Sequence, residues 1–249
     1  TGVWAWLWGG LEPDAGWRLA AILGPAAAMA AMGLGDDLRS INPKLKALGL
    51  LLASVAVCAG GVRIETLSWP GASGVLALGG LSWPVTIGWI CAITVATAII
   101  DGIDGLAAGL VAIAAGAVAA SCVVGGFVGP AILPLALVGG AMGFLLFNFP
   151  PARIFMGDCG SLFLGFAVAC AAVAAAPHVG TVQGLVLPAL AMSVPLLDAV
   201  MTLFRRRFLQ RRSIFSSEQG HIHHHMMNVG LTHRSIVWIL YVVAVACVA

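Results

Sequence analysis

The chain has 249 residues, 61% apolar and 9% charged, with 12 Lys and Arg against 10 Asp and Glu, and a mean hydropathy of +1.04. Soluble domains carry about 25% charged residues, so this chain has too few to cover a globular surface in water. A net charge of +2 with no strongly basic tract excludes nucleic-acid binding, and the high hydropathy excludes disorder; what remains is an all-α polytopic integral membrane protein.

Apolar segments of spanning length fall at about 17–35, 43–62, 82–100, 105–127, 130–147, 160–178 and 184–204, and another starts at 235. Backbone groups in lipid must be satisfied within the segment, so each is read as a helix of about 20 residues. The expectation is seven full transmembrane helices plus partial ends, in one transmembrane domain over 1–249. The second segment carries Lys44 and Lys46 in its first turn, where they snorkel to the interface. The start, Thr1-Gly2-Val3-Trp4, has neither an initiator Met nor a signal-peptide pattern, and the end stops inside an apolar run. A chain trimmed at both ends is expected. The six cysteines show no CxxC spacing and read as small apolar packing residues, with no disulfide and no Cys-bound metal.

The connections at 36–46, 101–104, 148–159 and 205–234 alternate with the others and share one side of the membrane. That side holds 10 of the 12 basic residues; only Arg18 and Arg63 lie opposite. By the positive-inside rule it is cytoplasmic. Asp36, Asp37, Asp101, Asp104, Asp158, Asp198 and Glu218 gather there too, with every His except His178. In a chain so poor in charge, that is where chemistry is expected.

Asp36-Asp37 is a pair of adjacent carboxylates that repel unless a cation or basic partner neutralises them. It is either a Mg²⁺ and phosphate feature or a solvated loop answered by Arg39, Lys44 and Lys46. Asp101-Gly-Ile-Asp104-Gly follows an uninterrupted apolar run. Its carboxylates share a face if the helix continues, and its glycines let backbone approach a ligand. A plain helix C-cap would not require two acids at a membrane boundary. In the stretch from Asn148 to Ser161, Pro150 and Pro151 break a helix and Asp158 begins the next. Asp158 is there a dipole-complementing cap or a metal ligand, with Arg153 available to phosphate. His221-Ile-His223-His224-His225 follows two Arg clusters; its imidazoles suit phosphate or sugar oxygens better than Zn²⁺, since no Cys is near. Asp198, near a helix end, is left open between function and pairing with an Arg.

In this order, Asp36-Asp37 with Pro43-Lys44-x-Lys46, Asp101-Gly-Ile-Asp104-Gly-Leu-Ala, Pro151-Ala-Arg-Ile-Phe-Met-Gly-Asp158-x-Gly-Ser-Leu and His221-Ile-His223-His224 resemble the polyprenyl-phosphate N-acetylhexosamine-1-phosphate transferases. The resemblance runs from about residue 30 to 236. It implies a bacterial inner-membrane enzyme of about ten or eleven helices with its site on the cytoplasmic face. Its reaction moves a sugar-1-phosphate from a UDP-sugar to undecaprenyl phosphate, releases UMP and uses Mg²⁺. Such a step opens wall-polymer, O-antigen or related lipopolysaccharide glycans. A homodimer is compatible with it.

Residue by residue, the resemblance implies Asp36 or Asp37 orienting or deprotonating the lipid phosphate, with Asp104 or Asp37 as the nucleophile of a rival covalent route. It implies Asp158 and Asp37 at the metal, Asp101 and Asp104 in the nucleotide and metal region, Arg153 at phosphate, and His221, His223 and His224 on the sugar and diphosphate. His221-Ile-His223-His224 is similar to the branch using UDP-N-acetylglucosamine; the peptidoglycan branch has His-His-His-x-Glu, whereas Met226-Met227 follows here. At one position the chain departs from the pattern: Ala98 stands where the family usually has Asn, with Thr94 and Thr97 the nearest hydroxyls. A non-catalytic member that binds nucleotide or lipid is therefore one alternative. A carboxylate-using transporter is another, but it calls for acids at mid-membrane rather than at one edge.

Overall fold

The computed structural model describes residues 15–68, 74–204 and 232–249. In chain order the helices are α1 (Ala15–Leu38), α2 (Pro43–Ala59), α3 (Ser82–Ile100), α4 (Leu106–Val124), α5 (Val128–Asn148), α6 (Gly157–Val179), α7 (Thr181–Ala191), α8 (Ser193–Phe204) and α9 (His233–Val248). A short antiparallel hairpin, β1 (Thr66–Ser68) with β2 (Val75–Ala77), joins α2 to α3 in the register Thr66↔Ala77, Leu67↔Leu76, Ser68↔Val75. The described residues are otherwise helical, as the apolar runs require in lipid.

Local sequence sets the element ends. Asn42 caps α2 by accepting from the Lys44 N–H at 2.9 Å, and Pro43 fills the first helical position, where no donor is needed. Gly105 has φ +78°, a left-handed turn that lets α4 start straight after the Asp101–Asp104 segment. Thr232 caps α9 by accepting from Ser235 N–H at 3.3 Å.

Helix α6 is the hub, packed against α1, α3, α4, α5 and α7. Within its apolar window 72% of residues are buried, against 22% for α1 and α5. Its run Ala167-Val-Ala-Cys-Ala-Ala-Val-Ala-Ala-Ala explains why: small side chains let several neighbours approach closely, the usual route to helix association in lipid. A Cβ on Gly33 of α1 would overlap the backbone of Asp158, and one on Gly165 would press on Thr94 and Thr97 of α3.

Five of these helices are long and apolar enough to cross a membrane, or six if α7 and α8 form one broken span. Among the described residues the expected count of seven is not reached, at two places. The segment read at 43–62 yields only 17 helical residues, because it closes at Gly60-Gly61 and opens on Pro43. The segment read at 184–204 bends by 74° between α7 and α8, beside Pro188 and Pro195.

Candidate active site

Three connections meet at one end of the bundle: the end of α1 with the start of α2, the α3–α4 turn, and the α5–α6 loop. The helix does not continue through Asp101 and Asp104, so the condition for their sharing a helix face is not met. α3 stops at Ile100, Asp101 takes the C-cap, and residues 101–105 form a turn. Around a cavity of about 450 Å³ the structure gathers Asp37, Asp101, Asp104 and Asp158, with Ala98, Asn148 and Phe155 also in its wall. Four carboxylates from three separate stretches of sequence thus share one space.

Lys46 holds two of the stretches together. Its Nζ donates to Asp36 Oδ2 at 2.9 Å and to Asp158 Oδ2 at 2.7 Å. The other Asp36 oxygen accepts from Ile41 N–H at 2.6 Å, closing the α1–α2 loop. Asp37 performs a different task. Its Oδ1 accepts from Asp158 N–H at 2.9 Å and its Oδ2 from Cys159 N–H at 3.0 Å. No side chain adjoining α6 caps it; an acid 121 residues earlier does so instead, which also suits the positive end of the helix dipole. Gly157, at φ +62°, is needed because a Cβ there would meet the Asp37 carboxylate. Asp158 itself therefore does not cap the helix; its carboxylate turns to Lys46.

Burial, followed by the charges of Asp158, Asp37 and Asp104, pushes Asp101 up to about 7 from the usual carboxylate range. Asp104 Oδ2 accepts from Ala152 N–H at 3.3 Å, tying the α3–α4 turn to the α5–α6 loop. Buried Asn148 fastens both: its Oδ1 accepts from Gly105 N–H at 2.8 Å and its Nδ2 donates to Ile154 O at 2.9 Å.

Some expected participants stand elsewhere. Arg153 is exposed and outside the cavity wall, with its backbone N–H on Phe147 O at 2.8 Å. Thr94 and Thr97 cannot replace the missing Asn: both are buried against Gly165, and their hydroxyls donate to Ile90 O and Ile93 O within α3. The position that faces the cavity is Ala98 itself. Asp198 is buried in α8, away from the cavity. His221, His223 and His224 lie outside the described residues. Asn148 and Tyr241, which hold the loops, carried no signal as site residues, although Asn148 opens the irregular stretch and Tyr241 is the sole tyrosine.

Among the described residues no three His, Cys, Asp or Glu side chains close to metal-binding distance. The donor set is nonetheless one of hard oxygens beside a cavity, and Mg²⁺ ordinarily uses one or two carboxylates with the rest of its shell from water and phosphate. These residues fit such an ion.

Comparison with known proteins places the same stretch. The profile described as Glycosyl transferase family 4 matches residues 19–176, which include all five acids of the site. The chain belongs to that family. Among its members, a probable undecaprenyl-phosphate N-acetylglucosaminyl 1-phosphate transferase of Bacillus subtilis (strain 168) is 35% identical over 226 residues, covering 91% of this chain and 63% of that protein. The decaprenyl-phosphate N-acetylglucosaminephosphotransferase of Mycobacterium tuberculosis (strain CDC 1551 / Oshkosh) is 34% identical over 242 residues, 89% of this chain and 60% of its own. A phospho-N-acetylmuramoyl-pentapeptide-transferase of Gloeothece citriformis (strain PCC 7424) matches a shorter part, 43% identical over 136 residues, 53% of this chain and 37% of its own. The chain thus spans less than two thirds of the length of these family members.

Proposed function

We propose that the protein transfers N-acetylglucosamine-1-phosphate, or a related N-acetylhexosamine-1-phosphate, from a UDP-sugar to a polyprenyl phosphate, releasing UMP. The observation that supports this best is the cavity lined by Asp37, Asp101, Asp104 and Asp158. It lies within the part of the chain that matches the family. The names of the two longer-matching relatives favour the N-acetylglucosamine branch, as does His221-Ile-His223-His224.

The reaction joins a water-soluble diphosphate to a lipid phosphate, and a site at the helix ends lets each arrive from its own phase. An oxygen of the lipid phosphate attacks the β-phosphorus; the bond from that phosphorus to the bridging oxygen breaks, and the electron pair leaves with UMP. Mg²⁺ at Asp158, with Asp37 beside it, would neutralise the diphosphate charge. Lys46 ties Asp158, in the cavity wall, to Asp36, and Asp37 fixes the start of α6. Both Asp37 oxygens accept main-chain N–H groups and both Asp36 oxygens are held by Ile41 N–H and Lys46, so either acid stands to orient the lipid phosphate, and Asp104, which also lines the cavity, is the nucleophile of a rival covalent route. Positioning carries most of the rate in such transfers.

The test is UMP release by the full-length protein in detergent with undecaprenyl phosphate, Mg²⁺ and UDP-N-acetylglucosamine. Asp158→Asn should lower it by about 10²–10³; release that is indifferent to this change refutes the assignment. Ala98 in the cavity wall favours a second reading, a non-catalytic family member, since its methyl offers a ligand nothing polar. That reading predicts a silent parent and release from Ala98→Asn.

A further inference from the structure

Arg234, Trp238 and Tyr241 stand at i, i+4 and i+7 on α9, one stripe of that helix. The Arg234 Nε donates to Pro150 O at 2.6 Å in the α5–α6 loop. Two turns on, the Tyr241 hydroxyl donates to Gly105 O at 2.5 Å, at the end of the α3–α4 turn. Trp238 sits between them, edge-on to Phe149 at 5.7 Å and to Tyr241 at 6.0 Å.

Gly105 is the critical residue. It follows Asp104, holds φ +78°, and has both its polar groups engaged by distant side chains: N–H by Asn148 and carbonyl by Tyr241. The Tyr241 ring reaches it only because residue 109 is glycine; a Cβ there would overlap the ring. A tyrosine hydroxyl and an arginine aimed from an apolar helix at the backbone carbonyls of two separate connections hold those connections to one element.

We propose that Arg234 and Tyr241 are positioning residues: the α9 stripe clamps the Asp101–Asp104 turn to the α5–α6 loop that leads into Asp158 and so sets the spacing of the carboxylates around the cavity. This rests on the functional reading above, in which those carboxylates serve a phosphate transfer. The clamp touches no reacting atom. It acts through Gly105 and Pro150, and its effect belongs in kcat, since a carboxylate displaced by about 1 Å costs up to 10²-fold.

The experiment compares full-length parent, Tyr241→Phe, Arg234→Met and Arg234→Lys in detergent by amide hydrogen exchange over residues 101–109 and 149–156, and by UMP release per folded molecule. Tyr241→Phe removes one oxygen and leaves the packing. It and Arg234→Met should speed exchange in both segments and lower kcat about tenfold, with KM for the UDP-sugar little changed. Arg234→Lys, which keeps a donor, should recover most of kcat, whereas a merely structural contact would lower only the yield of folded protein. Unchanged exchange in Tyr241→Phe and Arg234→Met overturns the clamp, and faster exchange with parental kcat overturns its positioning role. A parent that releases no UMP overturns the functional reading instead, and the exchange data then decide the clamp alone.

Discussion

Asp37 and Lys46 bring together elements that sequence separates by more than a hundred residues, and they do so in opposite chemical ways. Asp37 accepts two N–H groups at the start of α6; Asp37→Ala should cost about 0.5–2 kcal/mol, the usual worth of a helix cap, read as a lower unfolding midpoint in detergent. Asp37→Asn keeps one acceptor and should cost less. Lys46 instead supplies a positive charge between Asp36 and Asp158. Lys46→Met leaves two carboxylates facing each other. Its midpoint should fall in EDTA and recover in part when Mg²⁺ is added; a midpoint indifferent to Mg²⁺ would count against a cation site beside Asp158. The acids themselves were legible in the sequence, because so few charges in so apolar a chain must sit at a membrane edge. Which atom each acid meets was not. Asn148, Arg234 and Tyr241 escaped notice because they bond backbone groups, and backbone partners leave no residue-type pattern.

At the scale of elements, hydropathy located every helix described, and the misreadings concern length and bending. The segment from Pro43 is apolar beyond Ala59, but Gly60 and Gly61 turn the chain before a full span is complete. The segment at 184–204 reads in the sequence as one span despite Pro188 and Pro195, and the 74° angle between α7 and α8 is a tertiary property that composition does not carry. The contact of α1 with α6 was equally hidden, since it depends on Gly33 meeting backbone. Gly33→Ala should therefore destabilise by about 1–3 kcal/mol through overpacking. Gly24→Ala, on the same helix with open space around it, should be neutral or stabilising. Equal effects from the two substitutions would contradict this account of the α1–α6 contact.

The whole molecule is a bundle around α6 with its carboxylate cavity at one end and the β1–β2 hairpin at the other. Among the described residues the acid-bearing end carries Arg39, Lys44, Lys46, Arg153 and Arg234, against Arg18 and Arg63 elsewhere, and from this bias we propose that it faces the cytoplasm. In a background free of the native cysteines, Gly74→Cys in the hairpin should react with a membrane-impermeant maleimide on intact cells. Ser40→Cys beside the cavity should react only after permeabilisation. The reverse pattern would put the site on the wrong side for a cytoplasmic nucleotide sugar.

In the proposed reaction the phosphate moves together with its sugar, and position-specific labelling of the donor follows each phosphorus separately. With UDP-N-acetylglucosamine carrying ³²P at the β-phosphorus, full-length protein, undecaprenyl phosphate and Mg²⁺ should carry the label into the butanol-extractable lipid. Label at the α-phosphorus should stay in water as UMP, and Asp158→Asn should leave both in the donor. Lipid-linked sugar formed with the β-label remaining in water as UDP would mean that the sugar moves alone, and would contradict the account.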